Sequence, residues 1–238
     1  MKPYQIASIR LPQLLPAISE LRRRCQSIAL LDAIFVPEDY IREYKFFQKW
    51  LDGRDLSIID NGQGDYCFII FGPEGVFITG LGHESDMSPF GEYGQMREIL
   101  SQVPKIFDFA CKEPAFSVEN SSFCIWRETE DVTWRVGKIP FPFRDSDTEK
   151  TGFFFIEPGV ILDYIDGSAE LLLMLNGNPQ DFRQRILDGG ELEPDLDVLT
   201  QIYTHCPLTQ EMVSALNPNL TMQDIMAEVE KIGYPLSQ

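Results

Sequence analysis

The densest group of reactive side chains in the sequence is the run His83-Glu84-Ser85-Asp86, with Ser88 close behind it. A histidine base, a serine nucleophile and an acid that orients the histidine are the residue types that hydrolysis by acyl transfer requires. Neighbours in an extended loop point apart, however, and neither serine lies in a Gly-x-Ser-x-Gly turn. His83 and Glu84 are therefore only candidates for the acid and base of a small hydrolase or metal-dependent enzyme.

Two other interpretations of this run are open. In the first, the run is a capped turn: Ser85 or Asp86 caps a short turn before Ser88, and His83 donates to a main-chain carbonyl. In the second, His83, Glu84, Ser85 and Asp86 form a binding loop. The order of preference is the capped turn first, the binding loop second and catalysis third.

A metal site would need His83 with Glu84 or Asp86 and one distant ligand, such as Asp65 or His205. The spacing of these residues supports no such site, so neither a metal nor another cofactor is predicted. His205 lies at the end of a predicted helix, where the negative end of the helix dipole stabilises a histidine without any further function.

Tryptophan and arginine alternate between two short predicted strands at residues 123–136. In a hairpin of this length Trp126 lies opposite Arg135, and Arg127 lies opposite Trp134. Each guanidinium group can then lie over an indole ring, for about 0.5–1 kcal/mol at an exposed site. The pairs pin the hairpin and are also candidate binding residues: Trp126, Arg127, Trp134 and Arg135.

The elements that must position the His83 run are strands. Tyr66–Phe71 is a continuous apolar segment, and a Gly-Pro-Glu-Gly turn separates it from the apolar segment Val76–Thr79. Leu56–Ile59 precedes them across the Gly-rich segment Asn61–Gly64, which lacks the Lys-Ser/Thr of a phosphate loop and is followed by a strand. These segments predict an antiparallel meander with the His83 run at its end.

Helices are predicted on both sides of the meander. Residues 13–35 have apolar side chains at helical spacing, and the three arginines 22–24 fan out over about half of the helix, which predicts a solvated face rather than a phosphate site. Pro37-Glu38-Asp39 predicts the start of a second helix that reaches Trp50. Residues 92–113 predict one or two helices broken at Pro104.

The C-terminal half begins with an extended segment at Ile139–Phe143 and a charged, mobile segment at 144–150. Phe153–Ile156 and Val160–Ile165 predict two more strands. Five helices follow, with Asn178-Pro179 and Thr221–Asp224 as start signals and Gly233 as a stop signal; they are predicted at about 168–175, 179–188, 195–204, 208–216 and 222–231.

The net charge of −17 is unevenly distributed. Residues 1–54 hold nine Lys/Arg and six Asp/Glu, whereas residues 55–238 hold 11 and 31. An acidic surface disfavours nucleic acid and anionic membranes, whose phosphates need Lys and Arg, and is compatible with a basic protein partner. Five cysteines without a Cys-x-x-Cys pair, and no secretory signal, predict a cytoplasmic protein with reduced thiols. The longest apolar runs are too short to span a bilayer.

Several short sequence motifs together resemble those of an uncharacterised bacterial protein family. The motifs are Asp65-Tyr66, Phe77-Ile78, Gly82–Pro89, Cys124–Arg127, Thr133–Arg135, Asp166–Ser168, Pro207–Thr209, Leu216–Pro218 and Ile232–Pro235. The resemblance covers about 55–235 and implies a bacterial, single-domain protein of unknown function. It carries no known activity, cofactor or catalytic residue.

These observations predict a single α+β domain over residues 1–238, with a mostly antiparallel sheet at about 56–165 flanked by N-terminal and C-terminal helices. The only candidate boundary is at 144–150. The predicted function is non-enzymatic binding of a protein or ligand, for example by an immunity-type protein that masks a basic toxin. The alternative is the small hydrolase or metal-dependent enzyme centred on His83 and Glu84. The sequence does not indicate the oligomeric state.

Overall fold

The fold was obtained as a computed structural model that describes residues 4–5, 7–91, 94, 98–137, 153–155, 160–163, 166–190 and 192–237. The extended segment predicted at Ile139–Phe143 and the mobile segment predicted at 144–150 lie outside these residues. Two sheets and a set of helices make up the described part, so the α+β class is confirmed.

The larger sheet is antiparallel and has six strands in sequence order. The strands are β2 (Tyr44–Leu51), β3 (Arg54–Asp60), β4 (Tyr66–Gly72), β5 (Gly75–Leu81), β6 (Phe123–Glu128) and β7 (Arg135–Val136). The predicted meander corresponds to β3, β4 and β5, in which Phe68 pairs with Thr79 and Ile70 with Phe77.

A second, three-stranded sheet joins the N-terminal strand β1 (Tyr4–Gln5) to β8 (Phe153–Phe155) and β9 (Val160–Asp163). β9 is central; β1 is parallel to it and β8 antiparallel. The two strands predicted near 153–165 therefore exist, but they belong to this separate sheet rather than extending the large one.

The helices are α1 (Ile18–Phe35), α2 (Asp108–Cys111), α3 (Ser168–Leu171), α4 (Pro179–Gly189), α5 (Leu196–Tyr203), α6 (Gln210–Leu216) and α7 (Met222–Ile232). Short 3-10 turns occur at Pro12–Leu14, Asp39–Ile41, Lys105–Phe107, Pro114–Phe116, Val118–Asn120 and Leu173–Asn176. Local caps explain the C-terminal helices: Asn178 accepts the N–H of Gln180 at 3.2 Å, the N–H of Thr221 donates to Asp224 at 2.8 Å, and Gly233 ends α7 at φ 69°.

One predicted helix is wrong, and another is confirmed only in part. Residues 37–50 contain only one 3-10 turn before β2, because Tyr44 and Phe46 are buried with the half-buried Lys45 between them, which is the period of a strand. In the described part of 92–113, residues 99–102 form turns rather than a helix, whereas the predicted break at Pro104 is present, at φ −60° and ψ 143°, and helix follows it over Lys105–Cys111.

The chain forms two compact units, each built from two segments. The first unit comprises Met1–Pro16 with Ile59–Asn176, and the second comprises Ala17–Ile58 with Gly177–Gln238. The predicted single domain stays a prediction.

Each unit has its own buried core. In the first, aromatic side chains cover the apolar β5, and Phe77 packs on Phe107 with 5.6 Å between ring centroids. In the second, α1 packs on β2 and on α5 and α7. Its buried face includes polar groups that bind neighbouring helices: Ser27 donates to the carbonyl of Ile202 at 2.7 Å, and Gln26 donates to that of Ile232 at 2.9 Å.

Candidate binding surface

The loop that follows β5 consists of three consecutive turns. The N–H groups of Ser85, Ser88 and Gly91 each donate to the carbonyl three residues earlier, at 3.0 Å in every case. Met87 is buried at 1% exposure and anchors the loop to the first unit. The remaining large side chains of the loop are thereby directed outwards.

His83 is held to the sheet through its main chain. Its N–H donates to Asp65 Oδ1 at 2.6 Å, and Asp65 Oδ2 accepts from Asn61 Nδ2 at 2.7 Å. Asn61 in turn accepts the N–H groups of Gln63 and Asp65, at 2.8 and 3.2 Å. The β3–β4 connection and the loop after β5 are thus tied together by one carboxylate.

The side chains of His83, Glu84 and Asp86 are exposed, and Phe90 beside them is 80% exposed. The His83 and Phe90 rings lie 6.2 Å apart at a tilt of 57°. Residues 59–91 contain five acidic residues, one histidine and no Lys or Arg. The loop therefore combines an exposed aromatic side chain with a purely acidic charge, and we call His83, Glu84, Asp86 and Phe90 the loop surface.

The predicted cap at Ser85 is wrong, and a cap at Asp86 stays a prediction. Ser85 is buried, and its hydroxyl has no hydrogen-bond partner among the described atoms. The hydroxyl of Ser88 accepts the N–H of Phe90 at 3.2 Å instead. His83 was predicted to donate to a main-chain carbonyl, whereas in the structure its main-chain N–H donates to the carboxylate of Asp65. The loop is ordered by its main chain and by Asp65.

In the part of the chain that the structure describes, no catalytic or metal-binding group is assembled around His83. Asp65, one of the predicted acid partners, accepts the main-chain N–H of His83. His205 belongs to the other compact unit. Within the described ranges, no group of three or more His, Cys, Asp or Glu side chains could hold a metal ion. The enzymatic role of His83 and Glu84 stays a prediction with no geometric support in these residues.

The tryptophan–arginine hairpin has the predicted register but not the predicted exposure. Trp126 pairs with Arg135, and the guanidinium of Arg127 lies 5.8 Å from the ring centroid of Trp134. Both indoles are buried, at 3% and 7% exposure. Arg127 Nε also donates to the carbonyl of Asp131 at 2.9 Å, and Arg135 forms an ion pair with its carboxylate at 2.8 Å.

These contacts stabilise the hairpin, and the indole of Trp134 is held further by its Nε1–H, which donates to the carbonyl of Pro16 at 2.9 Å. The surface of the hairpin therefore offers guanidinium groups rather than indole faces. A role of Trp126, Arg127, Trp134 and Arg135 in binding stays a prediction.

His205 follows α5 in a left-handed conformation at φ 63°. Its ring packs on Tyr234 at 4.5 Å between centroids. Burial, and then the nearby Arg23 and Arg22, lower the pKa of His205 below its ordinary value. The expected stabilisation of a protonated histidine by the end of α5 is therefore not what this environment favours.

A buried charged group in the second unit was not predicted from the sequence. Asp32 accepts the main-chain N–H of Tyr44 at 2.8 Å, and burial raises the pKa of that carboxyl. Arg185 binds Glu43 at 2.6 Å and lies over the Tyr44 ring at 5.0 Å. These groups form hydrogen bonds, an ion pair and a cation–ring contact with one another, and they join α1, β2 and α4. We therefore assign them a role in stabilising the fold.

Comparison with protein families, with curated proteins and with solved structures finds no match for this chain. No helix in the described part is both long enough and apolar enough to cross a membrane.

Proposed function

We propose that this chain is a non-enzymatic binding protein whose loop surface docks onto a basic region of a partner protein. The observation that carries the proposal is Phe90, an 80% exposed aromatic side chain in an acidic segment that holds no Lys or Arg. Burial of a phenylalanine in an interface is worth about 1.5–3 kcal/mol, and aromatic side chains are typical anchors of interfaces. The acids around it determine the charge of the partner.

The order of the loop supports the same function. Asp65 fixes the main chain of His83 at 2.6 Å, and main-chain bonds close the turns that follow. A loop that is ordered before binding does not pay the entropy of ordering when a partner arrives. Exposed Glu84 and Asp86 then act at the rim of the interface, where charges mainly raise the association rate and select the partner's sign of charge.

The first test is site-specific cross-linking in the source cell. A photo-reactive phenylalanine analogue replaces Phe90, and a matched protein has it at Tyr40, which is 84% exposed in the second unit. We expect one cross-linked protein with a basic surface from position 90 and not from position 40. Recovery of only acidic proteins, or of the same proteins from both positions, would refute the proposal.

The second test uses the purified partner from that experiment. Phe90→Ala and the double variant Glu84→Gln/Asp86→Asn should each weaken binding about tenfold or more, and added salt should reduce the effect of the double variant. The matched control Glu119→Gln/Glu130→Gln removes two exposed acids elsewhere in the first unit. An equal effect of this control would show that only net charge matters. A basic toxin masked by this chain is one version of the proposal, and it predicts loss of fitness when the chain is deleted.

A further inference from the structure

A cavity of about 350 Å³ lies within the second unit. Its walls come from residues 208–211 at the start of α6, from the first two turns of α7 and from residues 236–237. This volume falls in the range of small-molecule sites. The described lining residues all belong to the second unit, whereas the loop surface belongs to the first, so the cavity is independent of the proposed function.

One side of the cavity is apolar and consists of Leu208, Met222, Met226 and Leu236. Met222 and Met226 are four positions apart on α7, so their side chains are neighbours on one face of the helix. Both are half-buried, and Leu236 is 38% exposed. Methionine is flexible and polarisable, and its sulfur makes favourable contacts with aromatic rings. This side of the cavity therefore suits an aromatic ligand.

Hydrogen bonds fix the walls of the cavity to one another. The N–H of Leu208 donates to the carbonyl of Pro235 at 2.9 Å, and the N–H of Ser237 donates to the carbonyl of Leu208 at 3.0 Å. The N–H of Met222 donates to Oε1 of Gln210 at 2.8 Å, which joins the start of α7 to that of α6. The cavity is therefore formed before a ligand arrives, and binding requires little further ordering.

Glu211 is the one ionisable side chain among the described lining residues. Hydrogen bonds from its own main-chain N–H and then from the Thr209 hydroxyl lower the pKa of Glu211 below its ordinary value. The carboxylate is therefore charged at neutral pH and is held beside Thr209, which also lines the cavity. In the part of the chain that the structure describes, Glu211 forms no ion pair. Its negative charge is thus uncompensated.

The other polar groups on this side are engaged within the chain. The hydroxyl of Thr209 accepts the N–H of Met212 at 3.3 Å and donates to Glu211. Gln210 Nε2 donates to Oγ of Ser214 at 2.8 Å. The exposed Glu211 carboxylate can still accept hydrogen bonds from a ligand, and an ammonium group supplies such donors together with the opposite charge.

We propose that this cavity binds a small organic cation with an aromatic body, its ammonium group on Glu211 and its ring against Met222 and Met226. Charge complementarity with Glu211 determines the sign of the ligand's charge, and the methionines favour the ring. An anion of the same shape would meet a like charge at Glu211.

The test is calorimetric titration of the intact chain with 2-phenylethylamine, 2-phenylethanol, 3-phenylpropanoate and methylamine. The first three place an ammonium, a hydroxyl or a carboxylate group on the same aromatic body, and methylamine has the charge without the body. We expect 2-phenylethylamine to bind with a Kd of about 1 mM, about threefold to fivefold more tightly than 2-phenylethanol. The anion and methylamine should not bind up to about 10 mM.

Three outcomes of the titration would overturn the proposal. The first is absence of binding by 2-phenylethylamine up to about 10 mM. The second is equal affinity for the amine and the alcohol, because Glu211 would then have no role. The third is binding of methylamine as tight as that of 2-phenylethylamine, which would mean that the acidic chain attracts any cation.

Methionine methyl resonances show where the amine binds. The signals of Met222 and Met226, assigned by their loss in Met222→Leu and Met226→Leu, should shift during the titration with 2-phenylethylamine. The signal of Met174, which lies in the first unit, should not shift. Binding of the amine without a shift of either Met222 or Met226 would refute the site.

Variants test the role of each side of the cavity. Glu211→Gln keeps the shape and removes the charge, so it should abolish the advantage of the amine and leave the alcohol unchanged; added salt should reduce this advantage in the wild type. Met226→Gln should weaken the binding of both. The control Glu38→Gln removes an exposed acid elsewhere in the second unit and should keep the preference for the amine. Equal loss of preference in Glu211→Gln and Glu38→Gln, with both proteins folded by circular dichroism, would refute the role of Glu211.

Discussion

The carboxylate of Asp65 holds the main-chain N–H of His83 at 2.6 Å across 18 residues of sequence. Its second oxygen binds Asn61 at 2.7 Å, within the connection between β3 and β4. One side chain therefore couples two neighbouring connections of the large sheet. The loop surface that starts at His83 owes its position to this coupling.

Replacement of Asp65 by alanine should release the loop. Hydrogen bonds to a charged acceptor contribute about 1.5–3 kcal/mol, and partial exposure of Asp65 places the expected loss of unfolding free energy at about 1–2 kcal/mol. Amide hydrogen exchange should quicken at His83 and in the turns after it, and remain unchanged in β4 and β5. Both quantities are accessible by urea unfolding and by exchange measured with nuclear magnetic resonance.

Glu84→Ala provides the control for Asp65→Ala, because Glu84 lies in the same loop with an exposed side chain. It should leave the exchange rate of the His83 amide unchanged. Protection of that amide in Asp65→Ala equal to the wild type would show that the turns hold the loop without Asp65.

Elements with complete local signals could be predicted from sequence. The helices α4 and α7 begin at the predicted residues because Asn178 and Thr221 supply caps that act within three positions of the chain. β2 was mistaken for a helix because Pro37, Glu38 and Asp39 are good helix-start residues, yet they form only a turn before the strand. Burial of Tyr44 and Phe46 on α1 decides the strand, and that packing is not local.

For the candidate sites too, local features could be predicted from the sequence, whereas features that depend on packing between distant segments could not. The register of Trp126 with Arg135 follows from loop length and was predicted correctly. The burial of Trp126 depends on what covers the sheet, which spacing does not reveal. The arginines 22–24 together span about half a helix turn, but the ion pair of Arg22 with Asp55 depends on a strand that lies 33 residues later in the chain. Phe90 carried no signal beyond being apolar in a polar loop.

The two buried tryptophans of the hairpin should respond differently to loss of the indole nitrogen. Trp134 Nε1–H donates to the carbonyl of Pro16 at 2.9 Å, whereas Trp126 Nε1 has no hydrogen-bond partner among the described atoms. Both replacements by phenylalanine lose similar packing, but only Trp134→Phe also leaves a carbonyl without its donor. We therefore expect Trp134→Phe to lower the unfolding free energy by about 1–2 kcal/mol more than Trp126→Phe, measured by urea unfolding. Equal losses, or the reverse order, would contradict the assignment.

Alanine replacements of three glycines near α4 should distinguish the cost of backbone strain from the cost of side-chain crowding. Gly189 has open space around it and lies in the last position of α4, so Gly189→Ala should change stability by about 0 to 1 kcal/mol in the favourable direction. Gly190 also has open space but a φ of 85°, so alanine there should cost about 1–2 kcal/mol.

Gly177→Ala should be the most destabilising of the three replacements. It combines φ 86° with a contact of 2.5 Å between the new Cβ and the Arg24 guanidinium carbon. We expect a loss of unfolding free energy larger than that of Gly190→Ala, by thermal or urea denaturation. A loss no larger than that of Gly190→Ala would mean that Arg24 moves away without cost.

The lowered pKa of His205 predicts a dependence of stability on pH. Between the folded pKa and the ordinary value of 6.5, the unfolded chain binds a proton at His205 and the folded chain does not. The unfolding free energy should therefore fall as the pH decreases from above 6.5 through the folded pKa. Glu20 and Asp224, whose pKa is lowered by hydrogen bonds, titrate below this window, whereas the buried Asp32 has a raised pKa and changes the stability in the opposite direction. The contribution of His205 is therefore the difference between the pH profiles of the wild type and of a variant that lacks this histidine.

His205→Asn is the matched variant, because asparagine tolerates the left-handed backbone at φ 63° and carries no proton to titrate. Its urea midpoint should decrease less than that of the wild type between about pH 8 and 5. The imidazole proton resonance of His205 should titrate with a midpoint below 6.5 in the folded protein. A midpoint at or above that value, or identical pH profiles of the two proteins, would contradict the environment described for His205, since burial and the adjacent Arg23 must both oppose a second positive charge at this place.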